Sequence, residues 1–242
     1  MTKEEFISEC LIIFELNSLP CDRAQAQKLF ALTERMLEVN KSLNLTAIKE
    51  EKAVILKHYA DSVTVSAHIP QNSKIIDVGC GAGFPTLPLA IFRPDLSITA
   101  LDGTAKRINY VSETAKMLKL DNVTALAARA EELGTSAEYR EKYDVAIARA
   151  VASLPVLCEL CLPFVKIGGR MIAMKSQSAE VELADASRCI EVCGGAESEV
   201  NSCDLVSDAG ETEARRLIFI NKGKKTPPQY PRHYSKISKK PL

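Results

Sequence analysis

The chain has 242 residues, 46% of them hydrophobic, and 31 basic against 31 acidic side chains, so it is formally neutral. That length can bury one substantial core, and the longest apolar runs fall far short of the roughly 20 residues that span a membrane. Eight cysteines, and a start (Met1-Thr2-Lys3-Glu4-Glu5) without the basic-then-apolar order of a signal peptide, point to reduced thiols in a soluble, cytoplasmic protein with no membrane partner.

In chain order, the first third is helical. Phe6, Ile7, Cys10, Leu11 and Phe14 recur at helical spacing, and after the Pro20 break Leu29, Leu32, Met36 and Val39 do so again, with Asp22 as a candidate N-cap. These stripes are core packing. Residues 40–46 read as a polar turn, Glu50 to Tyr59 as a third helix, and Pro70-Gln71-Asn72-Ser73 as the turn that ends a helical N-terminal extension over residues 1–72 packed on the core.

Residues 73–221 alternate apolar strands with amphipathic helices, as a mostly parallel α/β sheet requires. The first strand, Ile75 to Val78, breaks into alternating glycines at Gly79, Gly81 and Gly83 before a helix-compatible stretch from Leu87 to Ile91, with Pro85 suited to the first helical turn. The next strand, Leu96 to Leu101, ends in Asp102, placed to accept the two hydroxyls of a ribose. A nucleoside cofactor is expected here. A dinucleotide fingerprint spaces its glycines differently, and Asp77, read as standing at the mouth of the turn, would repel a pyrophosphate but suits a cationic ligand. Asp77-x-Gly79-x-Gly81-x-Gly83 therefore looks like the first motif of class I methyltransferases, whose cofactor S-adenosyl-L-methionine carries a sulfonium and an ammonium. A glycine-rich turn without a ligand is the bland alternative.

Further on, a helix is expected over 104–118, then strands at Val123–Ala127, Tyr143–Ala148 and Arg170–Met174, and a closing antiparallel hairpin of Glu197–Leu205 with Arg215–Asn221. Arg129-Ala130-Glu131 and Arg149-Ala150-Val151-Ala152 follow strand ends, where open α/β sheets bind ligands; plain surface ion pairing of Glu131 and Arg149 is the lesser alternative. Cys158-x-x-Cys161 and Cys189-x-x-x-Cys193 fall in helical stretches where the spacing puts both members on one face, so no metal is expected. Residues 222–242 form a basic tail: Lys222, Lys224, Lys225, Arg232, Lys236, Lys239 and Lys240 without one acid, against 24 basic and 31 acidic residues in the rest. Such a tail suits a polyanionic partner, or is a solvated end.

Asn44-Leu45-Thr46, His58-x-x-Asp61-Ser62, the Asp77–Pro85 run, Arg129-Ala-Glu131, Arg149-Ala-Val-Ala152, Tyr230-Pro-Arg232 and the terminal Lys-Lys-Pro-Leu occur together in an order that resembles the glucose-inhibited division protein B family, the small-subunit ribosomal RNA methyltransferases G. The resemblance covers nearly the whole chain. It implies a class I, Rossmann-like S-adenosylmethionine-dependent methyltransferase sheet, and methylation of N7 of a guanosine in 16S-type ribosomal RNA, met as RNA or small ribosomal subunit by a monomer. It carries Gly79, Phe84, Ala130, Glu131 and Arg149 onto cofactor-contacting positions, with Arg149 as the positioning candidate and no certain catalytic residue. Asn44 and His58, with the tail cations, are the RNA-binding candidates. Thr86, Gly103, Ser176 and Ser235 depart from the family pattern. The rivals are a ribosome-assembly factor that binds RNA without transferring methyl, and a small-molecule or protein methyltransferase.

Overall fold

A computed structural model describes residues 1–242. Two helices open the chain, α1 (Lys3–Leu16) and α2 (Arg23–Leu43), each started by a capping box: Thr2 with Glu5, and Asp22 with Gln25. Their apolar stripes bury Phe6, Ile7, Cys10, Ile13 and Phe14 against Leu29, Leu32 and Met36. Phe6 meets Phe30 edge-to-face at 5.4 Å. The expected turn at 40–46 is shorter than its polarity suggests, because Asn40 is a buried helix residue whose side chain accepts from Thr46 N and donates to Thr46 O. The helix stops at Asn44, in the left-handed conformation that ends helices.

The third helix also differs from the expectation, running past Tyr59 to Val63. It begins as α3 (Glu51–Val54), widens to π-helical geometry over Ile55–Ala60 and closes as α4 (Asp61–Val63). Nothing breaks it at Tyr59, since Val54, Ile55, Leu56, Tyr59, Ala60 and Val63 are all buried.

The sheet follows: β1 (Lys74–Val78), α5 (Thr86–Phe92), β2 (Ser97–Asp102), α6 (Ala105–Met117), β3 (Val123–Ala127), α7 (Ala130–Leu133), β4 (Tyr143–Arg149), α8 (Leu154–Cys161), β5 (Val165–Lys175), α9 (Ala179–Val192) and β6 (Gly195–Ser202). A two-residue ribbon, β7 (Leu205–Val206) with β8 (Thr212–Glu213), precedes β9 (Arg216–Lys222), and α10 (Tyr234–Lys239) lies near the end. The seven-stranded order is β3-β2-β1-β4-β5-β9-β6. β1 to β5 pair in parallel, while β9 runs antiparallel to both β5 and β6. This is the α/β class I methyltransferase sheet with its terminal antiparallel pair. Strand order reverses between β1 and β4, so the loops leaving those two strands diverge and open a crevice at their carboxyl ends.

The N-terminal helices share one apolar cluster with a face of the sheet; Phe14 stacks on Phe92 of α5 at 5.1 Å. The other face is filled by α8, α9 and α10, and there Cys158, Cys161, Cys189 and Cys193 are buried as free thiols. No group of three or more histidine, cysteine, aspartate or glutamate side chains is arranged to hold a metal ion. No helix is long and apolar enough to cross a membrane.

The basic tail departs most from its sequence appearance. Lys222 is the last residue of β9, not an exposed tail cation. Its ammonium donates to Leu162 O at 2.6 Å, to Cys193 O at 3.2 Å and to Thr226 Oγ1, with the side chain wholly buried. Burial pulls its pKa down to about 8. Arg232 is likewise committed: its backbone N, Nε and Nη2 all donate to Glu159 of α8, a carboxylate with no exposure. Lys222 therefore presents no exposed cation, and Arg232 spends its Nε and Nη2 on Glu159. Arg140 fixes the stretch between them by donating to Thr226 O, Pro227 O and Tyr230 O. Lys224, Lys225, Lys236, Lys239 and Lys240 remain exposed.

Candidate functional site

The glycine run carries the chain from β1 across the end of β2. Gly79 N and Cys80 N donate to Leu101 O, Gly81 N to Asp102 Oδ2 at 3.1 Å, and Thr104 N to Asp102 Oδ1 at 2.7 Å. A carboxylate accepts about four hydrogen bonds, so Asp102 keeps capacity toward the cleft it faces. That cleft, about 340 Å³, is lined by Leu45, Thr46, His58, Gly79, Gly81, Phe84, Asp102, Arg107 and Arg149 among others. It continues into a slot of about 200 Å³ that includes Ala128, Ala130 and Glu131 beside Gly79 and Asp102.

Asp77 is corrected. It is not at the mouth but buried beneath the loop, 1% exposed, and lines neither space. Its Oδ2 accepts from Thr86 Oγ1 at 2.7 Å and from Thr86 N at 3.3 Å. Thr86, a departure from the family pattern, thus supplies the hydroxyl that holds Asp77 to the first turn of α5. Pro85 is the cap of that helix and not part of its first turn.

Two observations test whether the site suits an adenosyl cofactor. Gly81 has φ +55°, and a Cβ there would meet only Gly79 O, at 3.9 Å, so its missing side chain leaves cleft space open. Asp102 lines that space with acceptor capacity to spare. The residues fit such a group, with Asp102 and Glu131 as the acids beside it.

On the other wall, His58 stacks on Phe84 with ring centroids 4.5 Å apart and planes 15° from parallel, and the Arg149 guanidinium lies 5.4 Å from the same ring. Arg149 donates to Asp61 Oδ2 at 2.8 Å and to Lys57 O at 3.1 Å, a carbonyl within the π-helical turns. Asp61 Oδ1 accepts from Arg215 at 3.1 Å. His58 Nε2 pairs with Thr46 Oγ1 at 2.9 Å. Desolvation, with help from the Arg149 charge, lowers the His58 pKa to about 4, so the imidazole is neutral near pH 7.

His58, Arg149 and Ala150 also wall a second cleft, about 480 Å³, whose remaining lining includes Lys57, Asp61, Lys175, Ser176, Glu182 and Arg215. The two spaces therefore adjoin one another across one wall. Asn44 is exposed and ends α2 just before Leu45 and Thr46, so it sits beside the first cleft without lining it. Arg107, Lys57 and Arg215 were not singled out from sequence. None of them belongs to a spacing pattern that points to a site, and only the fold brings them here.

Two consequences are measurable. Asp102→Ala is expected to weaken cofactor binding by roughly 1.5–3 kcal/mol, the range for hydrogen bonds to a charged group; equal calorimetric affinities would move the ribose elsewhere. The second is pH dependence. His58 has a folded pKa below the ordinary 6.5, so the unfolded chain binds more protons between pH 6.5 and 4, and stability falls across that window as pH drops. Asp77 opposes this: burial raises its pKa to about 6, so its contribution is lost as pH rises from 3.8 to 6. His58→Gln should therefore flatten acid destabilisation, read from urea melts between pH 7 and 4. An unchanged profile would mean that His58 titrates alike in the folded and unfolded chain.

The same residues can be placed among known proteins. The chain is 44% identical to the ribosomal RNA small subunit methyltransferase G of Acetivibrio thermocellus, over 91% of this chain and 90% of the relative. It is 40% identical to the protein of that name from Brevibacillus brevis over the full length of both. Among solved structures, precorrin-6y C5,15-methyltransferase from Geobacter metallireducens GS-15 shares the fold, with a TM-score of 0.50 at 15% identity over 75% of this chain and 92% of that chain. The family described as rRNA small subunit methyltransferase G matches residues 25–209, a span that holds the glycine run, Asp102 and the His58–Phe84–Arg149 stack. On that match and those identities, the chain belongs to the rRNA small subunit methyltransferase G family.

Proposed function

We propose that this chain transfers a methyl group from S-adenosyl-L-methionine to N7 of a guanosine in 16S-type small-subunit ribosomal RNA, by direct in-line attack without a general base. The observation that carries the reading is the shared wall. A cleft floored by Gly79, Gly81 and Asp102 and a cation-lined cleft meet across His58 and Arg149, as two reactants exchanging one small group require.

Bound S-adenosyl-L-methionine supplies an electrophilic methyl group on a positively charged sulfur. Gly79, Gly81 and Phe84 shape the space for it, while Gly83 packs behind them on Leu87 of α5; Asp102 accepts the ribose hydroxyls, and Ala130 with Glu131 border the adenine. Asp77 acts from below by fixing Thr86. Guanine N7 has an in-plane lone pair and no proton, so the protein must orient and desolvate but need not abstract. Orientation alone can supply on the order of 7–11 kcal/mol. A neutral His58 flat against Phe84, and Arg149 clamped by Asp61, form a rigid boundary suited to that task. Arg149 is a positioning residue in this scheme.

Lys224, Lys225, Lys236, Lys239 and Lys240, with Asn44 at the rim, are the phosphate-side contacts. Each phosphate neutralised releases counterions and steepens the dependence of affinity on salt. Because N7 lies in the groove that A-form RNA makes deep and narrow, the target guanosine belongs to a loop or an incompletely folded region.

The test is incubation with labelled cofactor and 16S RNA or small subunits from cells lacking the protein, followed by nucleoside analysis. Label recovered as 7-methylguanosine supports the proposal. Label at another position would move the nucleophile, label in protein or small molecules would favour the rival substrate classes, and RNA binding without label would mark an assembly factor. Replacing the five exposed lysines with glutamine is expected to flatten the slope of log affinity against log salt and leave cofactor affinity unchanged; an unchanged slope would put the RNA on another face.

A further inference from the structure

Exposed apolar side chains scattered singly are ordinary, whereas ones gathered on a single concave site point to something that covers them. Eight are exposed here, and two of them, Val151 at 38% and Tyr234 at 41%, line the same slot beside Gly79 and Asp102. They reach it from different parts of the chain. Val151 follows β4 and packs over Gly79, where a Cβ would come within 2.7 Å of its Cγ2. Tyr234 opens α10.

The chain leading to Tyr234 is held at several points. Arg140 ties down Thr226, Pro227 and Tyr230, and Pro231 is buried against Gly134 at the end of α7, where a Cβ would lie 3.1 Å from its Cγ. Arg232 grips Glu159, and Ile237 is fully buried on α8. The α7 that receives Pro231 also supplies Ala130 and Glu131 to the slot. Tyr234 is thus held at the rim by anchors that do not involve its own side chain.

We propose that Tyr234 is a further cofactor-binding residue, the outer wall of the adenine slot, against which the purine face packs opposite the apolar floor formed by Ala128, Ala130 and Val151. This rests on the adenosyl reading of the cleft given above. An aromatic face recognises a purine by stacking, with little dependence on the hydrogen-bond pattern at its edge.

The experiment is calorimetry of the full chain with S-adenosyl-L-methionine, S-adenosylhomocysteine and 5′-methylthioadenosine, which keeps the adenosine but lacks the amino-acid end. Base–aromatic stacking corresponds to roughly 5- to 150-fold in affinity. Tyr234→Ala is expected to weaken all three ligands by a similar factor of about ten or more, and Tyr234→Phe to stay near wild type. Wild-type affinity in Tyr234→Ala would overturn the inference and leave the cofactor cleft standing. A loss confined to RNA binding would also overturn it, because Tyr234 would then stack on a base of the RNA. If wild type itself binds none of the three ligands, the reading of the cleft fails first.

Discussion

Gly81→Val is expected to abolish binding of S-adenosyl-L-methionine in a protein that still folds. Two costs have to be separated. Gly81 sits at φ +55°, in the left-handed region, where a side chain costs about 1–2 kcal/mol of backbone strain. That is tolerable against a typical stability of about 5–15 kcal/mol. A Cβ at this position would meet no protein atom closer than Gly79 O at 3.9 Å, and Gly81 lines the cleft, so the added bulk is directed at ligand space. The neighbouring glycines would not make so clean a test. A Cβ at Gly79 comes within 2.7 Å of Val151 Cγ2, and one at Gly83 within 2.6 Å of Leu87 Cδ1, so either change disturbs packing and site together. Native circular dichroism with no calorimetric heat is the expected outcome for Gly81→Val. Unchanged affinity would show that no ligand passes over this glycine.

The glycine run was legible because its chemistry is backbone chemistry: three alternating residues with positive φ leave a mark that no surrounding structure can disguise. Asp102 was legible for a related reason, as an acid at the end of a short strand one βα unit downstream. Asp77 was visible but misplaced, since sequence gives the order of residues and not the depth at which a turn buries them. The partner that explains it, Thr86, is nine residues away and became informative only once the loop closed. The His58–Phe84–Arg149 stack joins three separate segments, and Arg215 comes from a fourth. Periodicity carries no information about such a meeting. The helix that bears His58 outruns its periodic signal because a π-helical stretch interrupts the 3.6-residue repeat.

The tail shows where charge counting fails. Seven cations without an acid describe a composition, and composition does not say which acids elsewhere in the fold they will meet. Lys222 found two carbonyls and a hydroxyl, and Arg232 found Glu159. The five lysines left over have no comparable burial, and only they keep the character that the sequence assigned to all seven.

Arg232→Ala is accordingly expected to behave as a core mutation. Glu159 is fully buried on α8, and the Arg232 side chain supplies Nε at 2.8 Å and Nη2 at 2.6 Å to its two oxygens. Removing one partner of a buried pair leaves an uncompensated charge, which costs about 3–5 kcal/mol; for a chain of this size each kcal/mol lowers Tm by roughly 2–4 °C. A fall of roughly 6–20 °C is expected. A double variant identifies the cause. Glu159→Gln combined with Arg232→Ala removes the stranded charge and should recover part of the loss. A variant with unchanged Tm and a flattened salt dependence of RNA binding would return Arg232 to the phosphate contacts and leave Glu159 without its partner in solution.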